Sequence, residues 1–129
     1  MKRVLPVLFV LIVPFVFLSG CYSSPIYTYE VDFVITGSNS IDRAEISCGT
    51  AYYYDEFADI ISYPDVNIVP GVDYEFWAQT GEFLYLYARN ITGSSNGVLK
   101  IEIFVDGYLV AESDTSSVDG VVELYYYLD

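Results

Sequence analysis

The densest set of groups able to do acid–base chemistry is Asp55, Glu56 and Asp59. Paired carboxylates can work on a glycosidic bond. These three lie among Tyr52, Tyr53, Tyr54 and Phe57, whose rings can stack on a sugar or give a partner low-entropy contacts. The stretch reads as a recognition loop or as a packed loop without ligand, because 18 acids in 129 residues make neighbouring carboxylates common. Histidine is absent, which excludes a Ser-His-Asp triad, a Cys-His pair and histidine-ligated zinc. A nucleophilic Cys48 would need a base or a positive charge beside it. The nearest base in sequence, Arg43, falls on the opposite face from Ala44, Ile46 and Cys48, so a buried, inert thiol is expected. Asp114 to Gly120 offers oxygen ligands, but lacks the alternate-position acids and closing Glu of a calcium loop; it reads as a polar hairpin connection. The expectation is a binding protein without catalytic residues, metal or cofactor, with Tyr52, Tyr53, Tyr54 and Phe57 as candidate contacts.

The N-terminus reads as an address. Met1-Lys2-Arg3 is basic, Val4 to Leu18 is fifteen residues without a charge, and Leu18-Ser19-Gly20-Cys21 follows. This is the order of a secretory signal: basic, apolar, then small residues before a cut. As a helix the apolar run spans roughly 22 Å, short of the ~30 Å hydrocarbon core, and Pro6 and Pro14 interrupt it. An uncleaved anchor or plain secretion are the other readings. The four closing residues resemble a bacterial lipoprotein box. That resemblance implies Leu18, Ser19 and Gly20 as the signal-peptidase recognition residues and Cys21 as the lipid-bearing first residue of the mature chain. A multiply acylated Cys, at ~0.8 kcal/mol per buried methylene, would stay on its membrane. Residues 1–20 are then leader, 21–26 a lipidated tether of roughly 17 Å, and 27–129 one domain. Tyr22 stands where some lipoproteins of diderm cells carry an inner-membrane retention Asp. The expected location is therefore the outer membrane in a diderm cell, and otherwise the outer face of the cytoplasmic membrane. For such a chain the glycosylation acceptor spelled by Asn90-Ile91-Thr92 is set aside.

The net charge is −13, and loss of Lys2 and Arg3 leaves Arg43, Arg89 and Lys100 against all the acids. Such a surface repels phosphate backbones, which excludes nucleic acid as a partner. It suits solubility, a cationic partner or Ca²⁺. With Cys21 lipidated, Cys48 would have no internal disulfide partner, so the core alone must hold the domain.

Period-two alternation runs through the remainder, and helical stripes do not. Strands are expected at Tyr27 to Thr36, Arg43 to Gly49, Val72 to Thr80, Phe83 to Asn90, Val98 to Val105, Tyr108 to Ser113 and Val121 to Leu128, with a short one at Asp65 to Val69. Tyr52 to Asp59 reads as an irregular loop with at most a short edge strand. Phe83 to Asn90 is apolar on both faces and reads as a central strand. Asp106-Gly107 between alternating runs predicts a two-residue hairpin pairing Val105 with Tyr108 and Ile103 with Val110. Phe83, Tyr85, Tyr87, Phe104 and Leu109 are expected to form one outward aromatic patch. Seven or eight strands in about 100 residues predict an all-β, immunoglobulin-like two-sheet antiparallel sandwich, with a small closed barrel as the alternative.

Phe83 to Asn90, the Gly/Ser loop after it, and Leu99 to Gly107 resemble the mycobacterial MmpS-type small membrane proteins, as do Tyr29-Glu30-Val31 and Ala44-Glu45-Ile46. The resemblance implies an extracytoplasmic β-sandwich that assists RND-type exporters. This chain departs from the family in its lipid-type attachment at Cys21. It carries apolar residues near Ile101 and Leu124 where the family pairs cysteines, and lacks the proline-tryptophan segment around Val66 to Val72. The function expected is a non-enzymatic, membrane-anchored envelope protein that binds or assists an envelope protein partner. The alternative is a surface module that binds glycan or protein through the tyrosine-rich loop.

Overall fold

The computed structural model describes residues 25–52 and 55–129, apart from the side chains of 52 and 55–58. The strands are β1 (Thr28–Gly37), β2 (Arg43–Tyr52), β3 (Asp55–Asn67), β4 (Val72–Gln79), β5 (Glu82–Asn90), β6 (Leu99–Val105), β7 (Tyr108–Thr115) and β8 (Val121–Tyr127). They form two four-stranded sheets, β4-β1-β6-β7 and β3-β2-β5-β8, with every pairing antiparallel. Each sheet keeps two edges, so this is an open two-sheet sandwich and the closed-barrel alternative falls. Among the described residues no helix is long and apolar enough to cross a membrane.

The alternation in the sequence is the reason for the layers. Val31, Phe33 and Ile35 of β1 and Leu99, Ile101 and Ile103 of β6 turn inward. They meet Ala44, Ile46 and Cys48 of β2 and Leu84, Leu86 and Ala88 of β5 in one apolar cluster. The Phe33 ring meets Phe76 edge-on at 5.0 Å, the preferred geometry for an aromatic pair. β5 is flanked on both sides, by β2 and β8, as its two apolar faces foretell.

Three local expectations are corrected. The region read as an irregular loop and then a short strand from Asp65 is largely one strand, β3, of 13 residues. Its Pro64 sits at a bulge, where the register steps from Ala44–Val66 to Ile46–Tyr63. A bulge on an edge strand is where proline, which has no N–H to donate, is tolerated. The Asp106-Gly107 hairpin forms with φ of 50° and 81°, the left-handed pair of a type I′ turn. Val105 does pair with Tyr108, but a bulge then sets Ile103 opposite Ala111 instead of Val110. The Asp114 to Gly120 connection is no hairpin, because β7 and β8 belong to different sheets.

Asn90 stands at the end of β5, fully buried. Its amide nitrogen donates to the carbonyls of Ser94 at 2.7 Å and Ser117 at 3.1 Å. Its oxygen accepts from the Thr92 N–H at 3.0 Å and the Thr92 hydroxyl at 2.5 Å. One side chain thereby closes both the β5–β6 and β7–β8 connections, and the acceptor-like triplet is a structural device. Asn90→Ala leaves these buried groups without partners, at a cost of about 2–3 kcal/mol. In urea unfolding it should lose that much, while Tyr108→Ala, at a side chain 76% exposed, should stay within about 0.5 kcal/mol of the parent.

Candidate functional site

The sequence-derived contacts fall mostly beyond the described residues. Leu18, Ser19, Gly20 and Cys21 lie outside them, as do Tyr53, Tyr54 and the side chains of Tyr52 and Phe57. Of that stretch, Tyr52 closes β2 and Phe57 falls within β3.

The proposed single aromatic patch is split between the two outer faces. Phe104 and Leu109 belong to the β4-β1-β6-β7 sheet, whereas Phe83, Tyr85 and Tyr87 belong to the other. What β5 acquires instead are partners on β8, because Phe83 pairs with Tyr127 and Tyr85 with Tyr125. The ring centroids are 4.8 Å apart in the first pair and 5.0 Å in the second. The Tyr85 hydroxyl donates to Glu123 at 3.2 Å. Burial and the Glu123 carboxylate beside it push that phenol above its ordinary range. On the other flank β2 offers only Ala51 opposite Phe83 and Gly49 opposite Tyr85. A Cβ at Gly49 would strike the Asp59 carbonyl. Small residues beside large rings leave a broad ridge of aromatics, with Tyr125 at 64% and Tyr127 at 46% exposure.

The opposite outer face is acidic. Asp32 of β1 pairs with Glu75 of β4, and Val34 with Asp73. Carboxylate oxygens of Asp32, Asp73 and Glu75 converge to within 4.8 Å of one another. The buried Asp32 Oδ1 has no hydrogen-bond partner. Burial, then Asp73, Glu75 and Glu30, raise the Asp32 carboxyl above its ordinary value. Hard oxygen donors of this kind are the ligand type of Ca²⁺ and Mg²⁺. Sequence reading missed this set because Asp32 and Asp73 meet only through a non-local strand pairing.

Between the edges of β3 and β4 lies a groove of about 440 Å³. Its floor holds Cys48 and Phe76, its rim Asp59, Asp73 and Glu75. The rings of Tyr63 and Tyr74 stack across it at 4.9 Å. Burial pushes the Cys48 thiol up to about 11, so it is protonated at neutral pH. Arg43 faces away from it, bound to Asp65 at 2.6 Å. The inert thiol expected from sequence is thus what the surroundings of Cys48 produce.

No protein-family model and no curated protein matches this sequence. Function rests on the surfaces themselves.

Because the native pKa of Asp32 lies above its unfolded one, Asp32 subtracts stability at neutral pH. The subtraction fades as pH falls through the native pKa and is gone below the unfolded value of ~4. Asp32→Asn removes the like charge and adds a donor toward Glu75 and Asp73. It should gain about 1 kcal/mol at pH 7, a rise in Tm of about 4–8 °C. Thermal unfolding at pH 7 and again near pH 3 should show that advantage shrinking in acid.

Proposed function

We propose that this chain is a non-enzymatic, lipid-anchored cell-envelope protein that binds an envelope protein partner. The observation that carries this reading is the aromatic ridge of Phe83, Tyr85, Tyr125 and Tyr127 on one outer face. A solvated sheet face ordinarily alternates to polar residues. Tyrosine is favoured at contact surfaces because it supplies large area with little rotamer entropy to lose. The protonated, buried Cys48 speaks against thiol chemistry. The residues Leu18 to Cys21 support an acylated N-terminus, which would hold the sandwich within a short tether of its bilayer. Assistance to an RND-type exporter is the form of partnership suggested by resemblance to the MmpS-type proteins.

Two variants test the reading. Cys21→Ser should move the protein from the membrane fraction to the soluble one. The double change Tyr125→Ser and Tyr127→Ser should lower partner recovery by about tenfold after cross-linking in native membranes, the equivalent of about 1.4 kcal/mol of binding. Tyr108→Ser, on the opposite sheet, should leave recovery unchanged. Recovery equal to the parent's with both Tyr125 and Tyr127 changed would overturn the aromatic ridge as the contact. Recovery of an inner-membrane exporter would support the accessory form of the reading, and recovery of glycan alone would replace it with the surface-module alternative.

A further inference from the structure

On the β3/β4 side the two sheets do not end together. Ile61 pairs with Cys48 and so shares its inward face, yet Ile61 is 58% exposed. Asp59 pairs with the buried Thr50, faces the same way, and is also exposed. The inner surface of β3 thus runs out beyond β4, and the facing sheet stops one strand short of covering it. Farther along β3 the cover returns, where Tyr74 stacks on Tyr63.

β4 is the edge that stops short, and among the described residues no strand pairs with its outer side. The Thr80 N–H donates to the Tyr27 carbonyl at 2.9 Å, and the register continues through Tyr29–Ala78, Val31–Phe76 and Phe33–Tyr74. Alternation in an antiparallel ladder then turns the backbone groups of Tyr74, Phe76 and Ala78 toward β1, and those of Asp73, Glu75 and Trp77 outward. Edge strands are commonly guarded by proline, lysine or a bulge. β3 has Pro64 and a bulge; β4 has no proline, no lysine and an unbroken register.

Charge selects the occupant. Asp59, Asp73 and Glu75 rim the groove and Asp32 lies beside them. Among the described residues the bases are engaged elsewhere: Arg43 with Asp65, Arg89 with Glu45, and Lys100 with Glu102 and Glu112. A second copy of this acidic chain, paired edge to edge, would set Asp73 and Glu75 against their own kind.

We propose that the β4 edge takes up an extended segment of a partner protein in which basic and apolar residues alternate, as a fifth strand of the β4-β1-β6-β7 sheet. The segment's main chain pairs with Asp73, Glu75 and Trp77. Its apolar side chains turn inward over Ile61, Tyr74 and Cys48. Its basic side chains lie on the outer face, beside Asp73 and Glu75 and over the 69% exposed indole of Trp77. This edge is separate from the aromatic ridge, which lies on the outer face of the other sheet, so either contact can fail without the other.

Amide hydrogen exchange on the full-length chain in neutral detergent is the test, with a synthetic eight-residue peptide of alternating lysine and valine as probe. Saturating peptide should slow exchange at Asp73, Glu75 and Trp77 at least about tenfold and leave the β7 edge unchanged. The protection should weaken in about 0.5 M salt and fail in Glu75→Lys, an exposed site whose change leaves the core untouched. Equal protection by a peptide with glutamate in place of lysine would overturn the choice of a basic partner. Equal protection by a peptide N-methylated at alternate amides would overturn strand addition. Protection that grows with protein concentration alone would assign the edge to a second copy, and no protection at saturating peptide would remove the proposal.

Discussion

Four rows of inward apolar side chains, two from each sheet, hold this domain without a covalent tie between the sheets. Cys48 is a buried free thiol, so apolar burial, and no disulfide, is the main force set against the chain entropy of ordering eight strands. That constraint forces strict alternation on β1, β2, β5 and β6, whose inward residues are almost wholly excluded from water. A one-residue slip in any of them would carry its whole apolar row to the surface. The ends of the sandwich need a different kind of closure. There the Asn90 amide substitutes for a longer core by satisfying loop carbonyls that would otherwise be buried unpaired.

With the interior so tightly prescribed, the two exteriors are free to diverge. One sheet turns carboxylates outward from β1 and β4, and at Asp32 accepts electrostatic repulsion and an unpartnered oxygen. The other turns rings outward from β5 and β8, in tilted cross-strand pairs. Neither arrangement is needed to seal the core. The edges are unequal too: β3 carries the proline and bulge that discourage pairing, and β4 carries neither.

Most of the architecture was legible because it is written in local alternation. β1, β5, β6 and β8 show the buried and exposed positions that their sequences imply. The type I′ turn at Asp106-Gly107 was legible for the same reason: only those residue types accept both left-handed φ values. Bulges were not. Nothing local marks Val110 as the residue that shifts the β6–β7 register, and β3 runs through Pro64, a residue that by itself argues against a continuous strand. The sites were less legible still. The aromatic ridge required knowing that β5 neighbours β8 rather than the β6–β7 hairpin, and the Asp32–Asp73–Glu75 convergence required the β1–β4 pairing. Both follow from which sheet a strand joins, which alternation does not encode.

The scarcity of bases has a consequence for proteolysis. After Arg3, trypsin-like enzymes have only Arg43, Arg89 and Lys100 to cut after. Arg43 opens β2, while Arg89 and Lys100 lie within β5 and β6, and all three are paired to carboxylates. A protease must draw several residues of extended chain into its cleft, which a paired strand does not release while the sandwich is closed. The tips of the loops, where native proteins are usually nicked, hold no lysine or arginine among the described residues. Tryptic digestion of this domain therefore passes through opened states, and its rate reports how often the strands open, becoming a clock for unfolding itself where protease is abundant enough to cut before the strands reclose.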